Sequence, residues 1–460
     1  MKVVILDGFV DEPSNFGVPP FLSPYPRYLA GAVRDAGHEW EYVTIEQVRK
    51  GHPLKGDLLA VISGPIVPGK YLRGMPISEK ELLRHAANWE GTTVLGGPLA
   101  RFRFYDENLV EAFDFIGIRD LDAAVFDHLT KGGFTNRDRT MEEWDRWALL
   151  GADVIRNHPD YPDPLILELD TSKGCVRYLN GGCSFCIEPM YGVPKFRPVE
   201  SVVAEVRRLA ELGAVNFRLG GQADFFSYRA KGVGESLTPK PDVAVLRRLL
   251  AGIREAAPKL KVLHTDNADP AVMVANPEEA REGLRLLRQY ATPGTILSFG
   301  LETADPAVTE ANNLNIDADG CLTAIRIVNE VGRERGPNGM PWILPGLNFV
   351  TGLDGETRKT FDLNFEFLKR ILQEDLWVRR INIRQVRPVR REFVPLEHHR
   401  QFRQFKERVR TEVDHEMLRR VVPEGTVLRN VYTELSEGHT TFGRQVATYG
   451  LLVGVPYDVP

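Results

Sequence analysis

Short apolar runs alternate with amphipathic stretches through the first 150 residues of the chain. Runs of four or five apolar residues bounded by turn residues are typical of strands that are buried on both faces. Apolar residues three and four apart predict helices between these runs, and the clearest helix covers residues 25–37 and ends on a glycine. The predicted strands cover residues 3–6, 41–44, 58–62, 92–95 and 113–116. This alternation predicts a doubly wound, mostly parallel, Rossmann-like sheet.

The same alternation repeats six times after a proline-containing stretch at 120–165, which we interpret as a linker. The predicted strands cover residues 165–171, 215–219, 261–264, 295–299, 347–350 and 381–384. The predicted helices cover residues 198–212, 241–256, 278–290, 318–332 and 356–373. Six successive strand–helix units predict a parallel barrel that is open on one side, with its site at the C-terminal strand ends.

The remainder of the chain has a different pattern. A charged helix is predicted at 395–420, and short alternations at 427–431 and 449–453 predict a small β addition that acts as a lid or a docking surface. We therefore predict an α/β protein with a Rossmann-like domain at 1–150, a partial (β/α)6 barrel at 151–394 and a C-terminal α+β addition at 395–460.

Composition and charge narrow the class of protein. The chain has 460 residues, a net charge of −5 and only four cysteines. No stretch approaches the ~20 apolar residues that a membrane helix needs, and the first residues predict a strand rather than a signal peptide. We expect a protein of a reducing cytoplasm, without a membrane partner. The net charge argues against non-specific nucleic-acid binding. Residues 379–420 are locally basic, with 13 Arg and Lys against 6 Asp and Glu, which is more typical of a solvated face than of a binding surface.

Three of the four cysteines lie on one glycine-rich loop that follows the predicted strand 165–171. Cys175, Cys183 and Cys186 have the spacing C-x7-C-x2-C. In a reducing compartment, three thiolates at close spacing predict a metal site rather than disulfides. A zinc site needs a fourth ligand, and no Cys or His lies nearby, so an iron–sulfur cluster with one open iron fits better. Cys321, in a predicted helix, is interpreted as a small core residue.

This loop resembles that of the radical S-adenosylmethionine (SAM) enzymes. In that family three cysteines hold a [4Fe–4S] cluster, and the open iron chelates the amino and carboxylate groups of SAM. The usual spacing is C-x3-C-x2-C, so the first gap here is four residues longer. The second gap matches, and Phe185 occupies the family's aromatic position. The resemblance implies that Cys175, Cys183 and Cys186 ligate such a cluster.

The ends of two later strands carry further similarity to this family. Gly220, Gly221 and Gln222 resemble the G-G-E motif that binds the SAM amino group, with a glutamine in place of the acid. Ser298 and Glu302 resemble the signature of the fourth strand, whose polar groups face SAM. The resemblance implies that these five residues bind SAM, with Gln222 acting chiefly through its backbone carbonyl.

Other strand ends are open to two interpretations. Asp266 and Asn267 end the third strand and could reach a ribose hydroxyl or the substrate. Glu356 follows the fifth strand, and a role as a helix cap explains it as well as a role as a ligand does.

The N-terminal region resembles the cobalamin-binding domain of one large class of radical SAM enzymes. Three turns at the predicted strand ends are candidate cobalamin contacts through exposed backbone amides: Asp7-Gly8, Ser63-Gly64 and Gly96-Gly97. The D-x-H-x-x-G motif is absent, so we expect a cobalt ion without a histidine ligand from that motif. The alternative is a Rossmann-like domain that only presents the substrate.

The chain is most similar, within this class, to an archaeal group that includes the glutamine C-methyltransferase of methyl-coenzyme M reductase. Residues 63–81, 263–270 and 440–457 carry this similarity. It implies a methyltransferase that uses a 5′-deoxyadenosyl radical and methylcobalamin to methylate an unactivated sp3 carbon. The methylation would be a post-translational modification of an enzyme of methanogenesis. The similarity also implies two partners, the reductase α subunit as substrate and a ferredoxin or flavodoxin as electron donor.

Three alternative functions were weighed. RNA methylthiolation needs a second cluster and three more cysteines, and Cys321 alone is left, so we reject it. A radical SAM enzyme with another reaction and a non-catalytic iron–sulfur docking or assembly protein remain as alternatives. Consumption of SAM by the reduced protein distinguishes the last of these from an enzyme.

Overall fold

The computed structural model describes residues 1–11, 16–66, 71, 73–393 and 397–457. Its strands are β1 (Lys2–Asp7), β2 (Phe21–Leu22), β3 (Glu39–Thr44), β4 (Leu58–Ile62), β5 (Thr92–Gly96), β6 (Phe115–Ile116), β7 (Ile166–Asp170), β8 (Ser172–Lys173), β9 (Lys195–Phe196), β10 (Asn216–Gly220), β11 (Val262–Thr265), β12 (Thr295–Glu302), β13 (Ile343–Thr351), β14 (Ile381–Gln385), β15 (Val431–Glu437), β16 (Thr440–Gln445) and β17 (Leu452–Val455).

Its helices are α1 (Tyr25–Asp35), α2 (Ile45–Arg49), α3 (Glu79–Ala87), α4 (Pro98–Arg101), α5 (Glu107–Ala112), α6 (Leu121–Lys131), α7 (Met141–Leu150), α8 (Val199–Glu211), α9 (Val243–Ala256), α10 (Pro270–Ala275), α11 (Pro277–Tyr290), α12 (Pro306–Ala311), α13 (Ala318–Gly332), α14 (Arg358–Gln373), α15 (His399–Arg408) and α16 (His415–Val421). The mixed α/β class is as predicted. None of the helices in these described ranges is both long and apolar enough to cross a bilayer.

The first sheet is five-stranded and parallel, in the order β3-β1-β4-β5-β6. Alternate residues of a strand point to opposite faces, which divides its apolar side chains between two layers. In β1, Val3 and Ile5 pack with the layer that contains α1 and α6. Val4 and Leu6 pack with the opposite layer, which contains α2, α3 and α5. Burial on both faces explains why these strands are continuous apolar runs.

The second region is the partial barrel. Its six predicted strands are β7, β10, β11, β12, β13 and β14, all parallel where they pair. Hydrogen bonds join them in two groups, β11-β10-β7 and β12-β13-β14, and a bridge between Asn267 and Ser298 connects the groups. The sequence did not predict β2, a two-residue strand of the N-terminal region that pairs with β7. The first 150 residues therefore contribute directly to the barrel sheet.

The stretch 120–165, which we interpreted as a linker, is instead packed structure. It contains α6 and α7, and both pack against α1. Trp147 is fully buried, and a Cβ at Gly31 of α1 would lie 2.1 Å from the Trp147 carbonyl oxygen, so only glycine allows this approach. The side chain of Thr140 and that of Glu143 form a capping box at the start of α7.

A buried ionic network connects α1 to the barrel. The Arg27 guanidinium donates to the Glu205 carboxylate of α8 and to the Glu168 backbone oxygen of β7. Arg197 donates to the other Glu205 oxygen at 2.5 Å, and all three charged side chains are fully buried. One apolar core continues from the first sheet through the barrel. Two buried arginines that share one buried carboxylate inside a common core indicate a fixed relation between the two regions.

The C-terminal addition differs in detail from its prediction. The predicted helix at 395–420 consists of α15, a π-helical segment at 409–414 and α16, and residues 394–396 lie outside the described ranges. The predicted strand at 427–431 is wrong, since β15 begins at Val431 and pairs with β16 in an antiparallel sheet. The stretch 449–453 supplies only the start of β17.

The loop between β16 and β17 inserts into the barrel. The Thr448 amide donates to His264 Nδ1 at 3.1 Å, and the Tyr449 hydroxyl donates to Asp266 Oδ1 at 2.8 Å. The Tyr449 ring lies against the Arg380 guanidinium, 4.0 Å from it. The C-terminal addition therefore supports polar residues of the barrel interior, and its role as a lid or a docking surface stays a prediction.

Tyr449→Phe is expected to destabilise the protein by about 1.5–3 kcal/mol, because it removes a hydrogen bond to a buried carboxylate. Urea unfolding monitored by circular dichroism measures this change. Tyr457→Phe removes the hydroxyl of an exposed tyrosine and is the matched control, with an expected change near zero. Equal stability of the two variants would show that the inserted loop does not support the barrel.

Candidate active site

The cysteine loop begins directly after β8 and curls back on itself. A 3-10 turn covers Val176–Asn180, and Gly181 and Gly182 follow with φ values of 83° and 66°. A Cβ at Gly182 would lie 2.1 Å from the Pro189 ring, so the loop can close here only at glycine. The four extra residues of the first gap thus form an ordered turn.

The three thiols of this loop are largely shielded from water. Burial raises the pKa of Cys175 to about 12 and that of Cys183 to about 11, and it raises the pKa of Cys186 well above its ordinary range. A metal that binds such thiols displaces their protons and stabilises the thiolates with its positive charge. Among the described residues, no three His, Cys, Asp or Glu side chains are arranged to hold a single metal ion. Cysteines that bind separate irons of one cluster have no need to converge on one point.

The Gly220-Gly221-Gln222 segment ends β10 beside this loop. A Cβ at Gly220 would lie 1.9 Å from Glu168 Oε1, and Gly221 has a φ of 57°, so both positions require glycine. The Gln222 side chain is already engaged. It accepts from the Thr171 hydroxyl at 2.7 Å and donates to the Thr265 hydroxyl at 2.7 Å. Gln222 therefore ties three strand ends together, and its side chain is not available for a ligand.

Ser298 is engaged in the same way. Its hydroxyl donates to Asp266 Oδ1 at 2.7 Å and accepts a longer bond, 3.4 Å, from Arg380. Asp266 also pairs with the buried Arg218, so the carboxylate that could have reached a ribose is neutralised inside the barrel. These two residues thus belong to the barrel's buried polar network, and their direct contact with SAM stays a prediction.

Glu302 differs from Gln222 and Ser298 because one oxygen of its carboxylate is unsatisfied. Within the described ranges, Oε2 is buried and has no hydrogen-bond partner. Burial raises the pKa of this carboxyl group to about 8, although the positive charge of the Arg384 guanidinium acts to lower it. The residue also has a φ of 65°, a conformation that side chains other than glycine adopt at a cost in free energy. A strained, unpaired carboxylate close to the cysteines fits a cationic ligand group, such as the ammonium of an amino acid.

The three N-terminal turns lie where the sequence predicted, at the C-terminal edge of the first sheet, but they bond to one another. The Gly8 amide donates to the Ile62 carbonyl at 2.8 Å, the Ser63 amide to that of Gly96 at 3.0 Å, and the Gly64 amide to that of Phe9 at 3.1 Å. The expectation of exposed amides is therefore wrong at these positions.

Asp7 and Gly97 serve the same interlocked turns. Asp7 is fully buried and accepts from the Phe9 amide at 2.9 Å and the Tyr42 hydroxyl at 2.8 Å. A Cβ at Gly97, whose φ is 86°, would lie 2.7 Å from the Ser63 carbonyl oxygen. The local structure of the turns therefore explains why aspartate occurs at position 7 and glycine at position 97.

A cavity of about 730 Å³ separates the first sheet from the barrel mouth. The N-terminal wall includes five residues that follow the predicted turns by a few positions: Pro65, Ile66, Arg101, Phe102 and Phe104. The opposite wall includes Phe185, Cys186, Gly221, Gln222 and Arg384. One open cavity thus touches both the cysteine loop and the edge of the first sheet, and its size is that of sites for organic ligands.

The charged residues that line this cavity were missed in the sequence, among them Arg384 and Asp170. Arg384 is the penultimate residue of β14. Its positive charge favours the ionised forms of the Glu302 and Asp11 carboxyl groups. Asp170 ends β7, and burial raises its pKa to about 6. Both lie at strand ends of the predicted barrel, so the rule that sites form at C-terminal strand ends was the signal that could have found them.

Comparisons with known proteins place this site in a family. Residues 171–368 match the radical SAM superfamily model. An uncharacterized protein of Methanocaldococcus jannaschii is 40% identical over 99% of this chain and 88% of its own length.

Two solved structures share the fold. One is the radical SAM methyltransferase TsrM of Kitasatospora setae with tryptophan and a SAM analogue bound, at a TM-score of 0.54 and 15% identity, over 82% of this chain and 71% of that one. The other is the radical SAM enzyme OxsB with cobalamin and SAM bound, at a TM-score of 0.51 and 13% identity, over 93% of this chain and 57% of that one.

Radical SAM domains use a [4Fe–4S] cluster and SAM, and the residues described above fit both groups. Cys175, Cys183 and Cys186 would hold the cluster, and the unpartnered Oε2 of Glu302 would accept a hydrogen bond from the ammonium group of SAM. The matched residues contain the cysteine loop and every barrel residue of the predicted site. Residues 171–368 are therefore a radical SAM domain, and the chain belongs to one family with the Methanocaldococcus jannaschii protein.

Proposed function

We propose that this protein is a cobalamin-dependent radical SAM C-methyltransferase that methylates an unactivated carbon of a protein residue. The observation that carries the proposal is the cavity shared by the cysteine loop and the first sheet. A methyl group held by a cofactor on the sheet side would there face a substrate carbon on the cluster side. The fold of OxsB, whose structure contains both cobalamin and SAM, supports this arrangement.

The cofactors supply radical chemistry at a carbon whose hydrogen is too weakly acidic for a base to remove. The chain's own residues bind, orient and shield. Pro65, Ile66, Phe102 and Phe104 give the cavity an apolar wall suited to a corrin face, and Arg101 adds a cation at its edge. No histidine is among the described residues that line the cavity. We therefore expect bound cobalt to lack a histidine ligand from this chain.

Ile66→Trp is expected to abolish cobalamin uptake, because the larger ring would fill the wall of the cavity that the first sheet contributes. The measurement is the absorption spectrum of protein reconstituted anaerobically with cobalamin and then desalted. Val110→Trp introduces the same ring at an exposed position of α5 and serves as the control.

The wild type should retain cobalamin, and its cob(II) electron paramagnetic resonance spectrum should show no nitrogen splitting from an axial ligand. Reduced Ile66→Trp should still cleave SAM, since the cysteine loop is unchanged. Methylation by wild-type protein that contains no cobalamin would contradict the proposal and leave the first sheet as a scaffold.

The protein substrate rests on the sequence resemblance, which points to a glutamine of the methyl-coenzyme M reductase α subunit. A ferredoxin or flavodoxin is the proposed electron donor on the same basis. A polypeptide that contains the target glutamine should gain the mass of one methyl group. Each turnover should release deoxyadenosine and S-adenosylhomocysteine together, as judged by chromatography. Methylation of RNA with no protein accepted would reject this part of the proposal.

A further inference from the structure

The first cysteine gap carries an arginine that contacts one of the cysteine sulfurs. Arg177 lies in the 3-10 turn between Cys175 and Cys183, and its side chain is buried, with 4% of its surface exposed. Its Nη1 donates to Cys183 Sγ at 2.9 Å, and its Nη2 donates to Asn313 Oδ1 at 3.2 Å. The four additional residues of the gap thus bring a fixed positive charge to a cluster ligand.

Asn313 holds this arginine and the loop in register. Its amide nitrogen donates to the carbonyl oxygens of Asn180 at 3.1 Å and Gly182 at 2.9 Å. The residue follows α12 with a φ of 49°, a conformation that asparagine tolerates better than most residues. One side chain therefore binds the loop backbone with its nitrogen and the Arg177 guanidinium with its oxygen.

A second arginine fixes the other side of the loop. Arg390 Nη1 donates to the backbone oxygens of Gly181 at 2.8 Å and Cys183 at 2.7 Å. The backbone of Ser184 donates to the Asn312 carbonyl at 3.1 Å, and its hydroxyl donates to the Asn312 side chain at 2.8 Å. Contacts from two parts of the chain, residues 312–313 and Arg390, thus keep Cys183 beside Arg177, so the sulfur and the guanidinium are held together by more than their own attraction.

We propose that Arg177 is a positioning residue that donates to the Cys183 sulfur in the cluster-bound protein and raises the reduction potential of the cluster. Hydrogen bonds to ligand sulfurs and the local net charge are among the factors that set iron–sulfur potentials. Reduction adds a negative charge, which a buried guanidinium stabilises. The proposal rests on the cluster assignment and not on methyl transfer.

The test is a redox titration of the reconstituted cluster, followed by electron paramagnetic resonance. Arg177→Met keeps the length of the side chain and removes the charge and both donors. At a fixed solution potential its ratio of reduced to oxidised cluster should fall about tenfold, or about 59 mV for a one-electron couple. Arg177→Lys should show a smaller shift, because it keeps the charge. Arg207→Met removes an exposed arginine of α8 and should leave the potential unchanged.

A second variant keeps the test decisive if Arg177→Met binds no cluster. Asn313→Gly preserves the left-handed backbone and removes the amide that orients Arg177 and binds two loop carbonyls, so its potential should also fall. Iron and sulfide contents equal to those of the wild type show that ligation is intact. A wild-type potential in either variant with a full cluster would overturn the proposal. Because the measured quantity is a reduction potential, the result for Arg177 is independent of methyl transfer. Either proposal can be refuted without refuting the other.

Discussion

Replacing any one of Cys175, Cys183 and Cys186 with alanine is expected to abolish the [4Fe–4S] cluster and all cleavage of SAM. Each thiolate would bind a different iron, so a loop with two cysteines leaves one iron without its thiolate ligand. The expected loss is complete, since no SAM can be reduced without the cluster. Iron and sulfide analysis, visible absorption and deoxyadenosine formation after reduction measure it.

Cys321→Ala is the matched control for these three variants. Cys321 is fully buried in α13 among apolar side chains, and burial raises its pKa well above its ordinary range. It should therefore act as a small core residue, and its loss should leave the cluster and the deoxyadenosine yield intact. Deoxyadenosine from a protein that lacks any one of the other three cysteines would refute the ligand assignment.

The barrel was predictable because its strands are short apolar runs with local boundaries. Five of the six predicted strands begin within one residue of the structure, and the sixth, predicted at 347–350, is the end of a longer strand, Ile343–Thr351. Pro345 and Gly346 interrupt the strand pattern in the sequence, and tertiary pairing with both neighbours overrides that local preference. Local signals thus gave the order of elements, and the pairing gave their lengths.

The error at 120–165 has a similar cause. Three prolines between 159 and 164 predicted a linker, but the sequence Thr140-Met-Glu-Glu143 is itself a capping-box signal for a helix. The Trp147 side chain that follows is buried because it packs against Ala32 of α1, more than a hundred residues earlier in the sequence. A contact of that sequence separation leaves no local pattern, and the same applies to the pairing of β2 with β7.

The candidate site shows the same division between local and long-range information. Motif spacing found the cysteines and the two glycines, because those positions depend on the loop's own geometry. The partners of Gln222 and Ser298 come from Thr171, Thr265 and Asp266 on neighbouring strands, so the sequence could not show that these side chains are engaged. Glu302 could be proposed as a ligand, but only the structure shows that its carboxylate is unpaired.

Glu302→Gln is expected to weaken SAM binding about ten- to a hundred-fold while the cluster remains. Glutamine keeps the shape of the side chain and removes the charge, and a lost charge-assisted hydrogen bond costs ~1.5–3 kcal/mol. Calorimetry on the reconstituted protein measures the affinity. Glu356→Gln is the matched control, because the Glu356 carboxylate already accepts from the Gly352 amide at 3.0 Å and supports only its own turn.

The same variant should have the opposite effect on stability, with a predictable pH dependence. Burial raises the pKa of Glu302 from 4.5 to about 8, so between these values the folded protein keeps a proton that the unfolded chain releases. The contribution of Glu302 to stability therefore falls as the pH rises from about 5 to 8 and is constant above that. Glutamine has no such titration, so the melting temperature of Glu302→Gln relative to the wild type, both without SAM, should be higher at pH 8 than at pH 6. A carboxylate that costs stability in the empty site and adds affinity for SAM is one that the site uses for binding. Unchanged SAM affinity in Glu302→Gln would instead assign the residue to the barrel core.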